Sequence, residues 1–355
     1  MKFSLAPLLF AAVLATASAR DKTLDIYWID SEGGGSTLLV TPAGESILVD
    51  TGNPGGRDPQ RIAKVAKDVA GLTRLDHVII SHFHIDHFGG LAELPALIPV
   101  GVLYDKGFPE GSPDGKPQDL PWSVNSKRYL GAQVGKRVVL AAGDTVPLRV
   151  PDGSPALQLR CLGANQRFID PTPGQPQNPL NGTVPAKPVD SSDNANSIVL
   201  LLQFGDFRFF NGGDLSWNSE AKLVSSVNLV GLVDLYQVNH HGLEASNNPL
   251  LIRSLEPTVA VMNNGPTKGT GKSAMDALRS IPGIQIYQIH ENIREDKENT
   301  SDPNLIANHG NLGDSCAAHY IQCTVAADAK HYTLKVPSTG HALTYVTRPR
   351  LNWGE

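Results

Sequence analysis

Of the six residues His82-Phe83-His84-Ile85-Asp86-His87, four are His or Asp. Imidazoles and carboxylates crowded onto a short, apolar-flanked loop are costly unless a cation neutralises and organises them. The composition of this segment therefore points to a metal site. His82 and His84, two apart, can face one side of an extended backbone, while Asp86 and His87 can turn toward a second ion. Two adjacent divalent cations bring the pKa of a water toward neutrality and polarise a carbonyl or phosphoryl oxygen. The chemistry in view is hydrolysis without a nucleophilic Ser or Cys, with Asp86 accepting a hydrogen bond or proton from the attacking water. The neighbours Val78, Ile79 and Ile80 are buried-strand types, which argues against a surface loop with chance histidines.

The segments around this loop must hold it. Residues 24–29, 36–40 and 46–49 are short apolar or alternating runs separated by Gly-rich turns, which predict an opening β-meander. Asp58-Pro59 offers an N-cap and first-turn proline to a helix carrying Ile62, Val65, Ala66 and Val69. Residues 75–80 form an apolar run that enters the His segment as a strand, and residues 89–94 begin a short helix. Strands over 197–204, 207–211, 233–238 and 258–262, with helices from Ser216 and near Leu250, repeat the alternation. Two halves of similar order predict an α/β sandwich of two mixed sheets with helices outside. The Pro-, Gly- and Asp-rich stretches 106–120 and 165–194 are expected to rim the active site. The expected organisation is one domain over 20–355, with loop insertions at about 105–190 and a C-terminal extension at about 290–355.

Hydrophobic residues make up 41% and charged residues 18% of the chain, ordinary globular usage, and 34 Gly with 26 Pro imply many turns. A net charge of −5 gives no broad basic field. No stable nucleic-acid complex is expected, and the partner is a small-molecule or phosphoester substrate. Met1-Lys2, an apolar run over 5–14 and Ala17-Ser18-Ala19 before Arg20 have the three regions of a signal peptide. Residues 1–19 are expected to be removed on export to the periplasm or medium, and no later stretch is long and apolar enough to span a membrane. In an oxidising compartment Cys316 and Cys323 are candidates for a disulfide, while Cys161, in an alternating apolar stretch, is expected in the core.

His82-x-His84-x-Asp86-His87 followed by Gly89-Gly90 resembles the signature of the metallo-β-lactamase fold superfamily. Ile47-Leu48-Val49-Asp50-Thr51-Gly52, Asn211-Gly212-Gly213-Asp214 and Val238-Asn239-His240-His241-Gly242 are similar to its further site segments, in the same order. The Gly-rich turn after Asp30, Asn194-Ala195-Asn196-Ser197 and the His-His-Gly ending are similar to the branch that includes the periplasmic domain of DNA-uptake competence proteins. The resemblance implies a four-layer αββα sandwich and two divalent metal ions, zinc first and manganese as the alternative. It implies that His82 and His84 hold one ion, that Asp86, His87 and His240 hold the other, and that Asp214 bridges them. Asp50 would orient a ligand His, and His241 would either contact substrate or donate a proton, or serve a structural role. The superfamily places a further His before the strand at 197, and this sequence has none between His87 and His240. Asp193, Asn194 and Asn196 are the candidates to fill that place, Asp193 first because it is anionic; added oxygen ligands favour harder metals such as manganese.

The segment 265–273 has a P-loop-like composition, but Pro266 stands where the first Gly is required and removes an N–H from a phosphate cradle. It is expected to be a loop beside the metals, where Lys268 or Lys272 attracts an anionic substrate. His77, His290, His309, His319, His331 and His341 occur singly and are expected to be structural or surface residues. The leading expectation is a phosphodiesterase or related phosphoesterase. Hydrolysis of a β-lactam or lactone is the runner-up, and a non-catalytic binding protein with a degraded metal site is the third reading.

Overall fold

The computed structural model describes residues 22–313 and 316–349, so the expected signal peptide lies outside the described residues. Among them, no helix is long and apolar enough to cross a membrane.

The first half supplies strands β1 (Leu24–Trp28), β2 (Thr37–Val40), β3 (Ser46–Val49), β4 (Leu75–Ile79), β5 (Val100–Asp105) and β6 (Val134–Val139). Then follow β7 (Thr145–Val146), β8 (Leu157–Ala164), β9 (Arg167–Phe168), β10 (Val199–Phe204), β11 (Phe207–Asn211), β12 (Leu235–Gln237), β13 (Val259–Met262), β14 (Gln285–His290) and β15 (Ile306–Asn308). The last three are β16 (Ile321–Val325), β17 (His331–Val336) and β18 (His341–Val346). One sheet has the order β18-β17-β16-β1-β2-β3-β4-β5-β6, and the other runs β15-β14-β13-β12-β11-β10-β8-β7 with β9 on β8. Both are mixed: β3 to β6 are parallel in the first sheet and β11 to β15 in the second.

The period of two in the strands explains the layering, because alternate residues serve different cores. Leu24, Ile26 and Trp28 join Leu200, Leu202 and Phe209 between the sheets. Tyr27, Leu38 and Val78 point the other way, onto helices α1 (Arg57–Lys64) and α4 (Leu120–Leu130). On the far side Phe210, Tyr236 and Ala260 meet α6 (Pro249–Leu255) and α7 (Lys272–Arg279). Three apolar clusters thus separate four layers, and the fold is the αββα sandwich.

Several elements differ from the sequence expectation. The helix α1 starts at Arg57, behind Gly56, and Asp58 turns back to accept from the Asn53 N–H at 2.7 Å. The stretch 105–190 contains α4 and β6 to β9 rather than loop alone, and residues 290–346 contribute β15 to one sheet and β16 to β18 to the other. Cys316 and Cys323 are not joined; all three cysteines are free. Cys323 is buried between the sheets, a position its place on β16 dictates, whereas Cys316 lies against Asp30. Cys161 is in the core.

The ring of Trp28 meets Phe209 edge-on across the sheets, with centroids 5.8 Å apart, and its Nε1 donates to Gln237 Oε1 at 3.1 Å. Phe209→Ala is expected to cost about 3–5 kcal/mol, read as a lower urea midpoint at unchanged slope. A loss under about 1 kcal/mol would mean that the sheets do not share this core.

Candidate metal centre

The parallel strands β3, β4, β11, β12 and β13 all end at one rim, and the loops beyond their carboxyl ends bring the candidate residues together. Beyond β4 the chain runs through Ser81–His84, extended at His84, and then turns into α2 (Ile85–Phe88); buried Ile80, Phe83 and Phe88 pin this loop. Asp50 follows β3, Asp214 follows β11, and Asn239–Gly242 forms a tight turn after β12. In that turn His240 and His241 have φ of 51° and 56°. Two successive non-glycine residues in the left-handed region store strain of the kind that accumulates at functional sites. Glu220, fully buried, accepts from Asn239 Nδ2 and from the Asn247 and Asn248 N–H groups and so holds this turn. Burial, only partly offset by those bonds, pushes its carboxyl up to about 7.

The side chains converge on Asp214. Its Oδ2 lies 3.1 Å from His87 Nε2, 3.2 Å from His241 Nε2, 3.6 Å from His240 Nε2 and 3.9 Å from His82 Nε2. Asp86 Oδ2 lies 3.4 Å from His241 Nε2 and 3.6 Å from His87 Nε2, and is paired with Lys268. Two groups, His82/His87/Asp214 and Asp86/His87/His241, each keep their donor atoms within 4.8 Å of one another.

The outer ring atoms are anchored. Asp50 Oδ2 takes His87 Nδ1 at 2.7 Å and Ser81 Oγ at 2.8 Å, and that hydroxyl meets His82 Nδ1 at 3.0 Å. His241 Nδ1 faces the Asn263 carbonyl at 3.0 Å, which can only accept, so Nδ1 carries a proton and Nε2 faces the cluster. Gly35 packs against this buttress: a Cβ there would stand 2.6 Å from His87 Nδ1 and 2.7 Å from Asp50 Oδ2.

The charges are coupled. Burial works against the His87 imidazolium, but Asp214, Asp50 and Asp86 outweigh it and raise its pKa well above the usual range. Burial would raise Asp86 and Asp214; the surrounding imidazoles, with Lys268 beside Asp86, hold both well below the carboxylate range. Burial, reinforced by His87, pushes His82 down, and His240 falls to about 4 mainly through burial.

The donor set fits divalent cations. His82 Nε2 and Asn194 Oδ1 are buried without a hydrogen-bond partner, and Nε2 of His87 and of His241 face each other at 3.2 Å. Such groups are stable inside a protein when a cation takes their lone pairs.

The structure places three of the expected ligands in the following ways. Asp193 does not face the cluster: Oδ2 accepts from the Phe83 N–H at 2.7 Å, and Oδ1 pairs with Lys106 Nζ at 2.8 Å and Asn196 Nδ2 at 3.1 Å. Its neighbour Asn194 turns its Nδ2 to within 3.5 Å of His240 Nε2. His241, rather than His240, joins Asp86 and His87, and His240 faces Asp214 and Asn194. His84 lies outside both groups and turns Nε2 to Asp114 Oδ1 at 2.9 Å. Asp114, Glu220 and Asn263 also support the cluster, and no sequence signal points to them. Lys268 reaches the cluster, whereas Lys272 is exposed and pairs with Asp276.

Residues 30–115 match the family described as the metallo-beta-lactamase superfamily. The competence protein ComA of Neisseria gonorrhoeae is 23% identical over 235 residues, covering 66% of this chain and 26% of ComA. Recombination protein 2 of Haemophilus influenzae is 30% identical over 97 residues, 26% of this chain and 12% of that protein. The chain thus matches about a quarter or less of these relatives' length. Among solved structures, the diiron β-hydroxylase CmlA of Streptomyces venezuelae is similar at 16% identity and a TM-score of 0.43, covering 76% of this chain and 53% of CmlA. A metallo-β-lactamase of Hirschia baltica is similar at 19% identity and 0.26, over 51% and 60%.

Asn194→Ala is expected to weaken zinc binding at constant fold, because it deletes a buried, unpartnered amide oxygen on the side chain whose Nδ2 lies beside His240. Asp193→Ala should keep the ion count while losing about 3–5 kcal/mol of stability, the cost of stranding buried Lys106. Metal titration and urea unfolding of both variants check this; the opposite assignment of effects would restore Asp193 as the ligand.

Proposed function

We propose that this chain, whose residues 30–115 carry the metallo-β-lactamase superfamily match, hydrolyses a phosphodiester or other phosphoester with two divalent metal ions, zinc or manganese. The observation that carries the reading is the convergence of His82, His87, His240, His241 and Asp86 around Asp214, with the buried His82 Nε2 and Asn194 Oδ1 left without hydrogen-bond partners. In this reading His82, His240 and Asn194 hold one ion, with His84 joining them by turning from Asp114, and Asp86, His87 and His241 hold the other. Asp214, whose Oδ2 lies within 3.9 Å of Nε2 of His82, His87, His240 and His241, would serve both sets.

Held there, such ions supply a water of near-neutral pKa and draw charge from the attacked phosphoryl oxygen. The chain's own groups do the rest. Asp86, the most exposed carboxylate of the cluster, would accept a hydrogen bond from the attacking water. Lys268, drawn to Asp86, supplies positive charge toward an anionic substrate. Asp50 keeps His87 in place directly and His82 through Ser81, so the donors need little reorganisation when charge develops. A cavity of about 340 Å³ beside His84 and Asp86, lined by Phe83, Phe88 and Trp122, offers room for an apolar leaving group. Similarity to a competence protein is consistent with a phosphodiester, and the signal-like residues 1–19 support action after export.

Turnover of a chromogenic phosphodiester should vanish on chelation and return with zinc or manganese, and Asp214→Ala should lose at least about 100-fold with its fold intact. A chromogenic β-lactam run in parallel should not be turned over. Chelator-resistant turnover, or turnover of the lactam alone, would overturn the reading.

A further inference from the structure

A second cluster of ligand-type side chains lies outside the main cluster. Asp30, His290 and Cys316 each offer a donor atom within 4.8 Å of the others. Asp30 and His290 are buried, and His290 Nε2 lies 2.8 Å from Asp30 Oδ1. Cys316 Sγ lies 3.4 Å from Asp30 Oδ2 and 3.6 Å from Asn308 Oδ1. The remaining ring atom, His290 Nδ1, is buried without a partner, so this imidazole makes fewer bonds than it can.

We propose that Asp30, His290 and Cys316 form a separate zinc site with one oxygen, one nitrogen and one sulfur donor. Zinc bonds of about 2.0–2.3 Å to such atoms set neighbouring donors roughly 3.3–3.8 Å apart, so small side-chain shifts suffice. A mixed N/O/S set with a thiolate suits zinc over magnesium or calcium. Arg61 pairs with Asp30 Oδ2 at 3.1 Å and with Glu32 Oε1 at 3.2 Å, so an ion on Asp30 would leave Arg61 its Glu32 partner. Burial and the Asp30 carboxylate keep the Cys316 thiol protonated. On binding, the Cys316 S–H proton leaves to solvent, the proton that His290 Nε2 donates to Asp30 passes to Nδ1, the sulfur–zinc and nitrogen–zinc bonds form, and a water completes four donors.

The position gives the ion a task. Asp30 follows β1 and opens the turn whose Gly35 packs on His87; His290 ends β14 in the opposite sheet; Cys316 precedes β16. An ion there staples the two sheets behind the main cluster. This inference is independent of what the main cluster hydrolyses, because the main cluster contains no sulfur.

Cobalt substitution of the full chain tests it, since thiolate ligation gives a near-ultraviolet charge-transfer band that imidazole and carboxylate ligation do not. The band is expected in the wild type and lost in Cys316→Ser, which should bind one ion fewer. In the unsubstituted protein, added zinc should protect Cys316 from a thiol reagent. No band at saturating cobalt, a band that persists in Cys316→Ser, or unprotected Cys316 would each overturn the proposal, and a poorly folded variant leaves the band and the protection assay decisive.

Discussion

The Asp214 carboxylate is 3% exposed and surrounded by four imidazoles, and this concentration of charge governs the rest of the structure. Removing an ion from water costs several kcal/mol even after relaxation, and like charges compound the cost. The imidazoles and the carboxylates of Asp214 and Asp86 offset part of it among themselves, as the raised His87 and lowered Asp86 and Asp214 show. What they leave open are the orphaned His82 Nε2 and Asn194 Oδ1 and the opposed Nε2 atoms of His87 and His241. Divalent cations would satisfy these atoms.

Both sheets are needed to assemble the cluster. Asp50 and the His82–His87 loop extend from one sheet, Asp214 and His240–His241 from the other, all beyond the carboxyl ends of parallel strands, where open α/β folds place ligands. The shared core around Trp28 and Phe209 fixes the distance between these rims. The left-handed pair His240–His241 costs on the order of 1–3 kcal/mol per residue, and Glu220 with its three bonds helps to hold it.

Much of this follows from local sequence. Alternation in strands such as Leu24–Trp28 reports two buried faces, and the His82–His87 spacing reports the loop on which ligands gather. Spacing does not report side-chain direction. Asp193 and Asn194 are neighbours on one turn of 3-10 helix (Asp193–Asn196), and which of them faces inward depends on Lys106, 87 residues earlier. His240 and His241 exchange their expected places because the backbone reverses in the left-handed region, which neither residue type announces. Asp114, Cys316 and His290 meet their partners only through long-range packing, so a lone histidine in the sequence proved to be part of a cluster.

The most direct test is anomalous scattering at the zinc edge from crystals grown with zinc. Two peaks flanking Asp214 are expected, one about 2.0–2.1 Å from Nε2 of His87 and His241 and the other at that distance from Nε2 of His82. Fully ordered imidazoles with no peak between them, still bonded directly to Asp214, would contradict the account, because the buried charge would then be balanced without a metal.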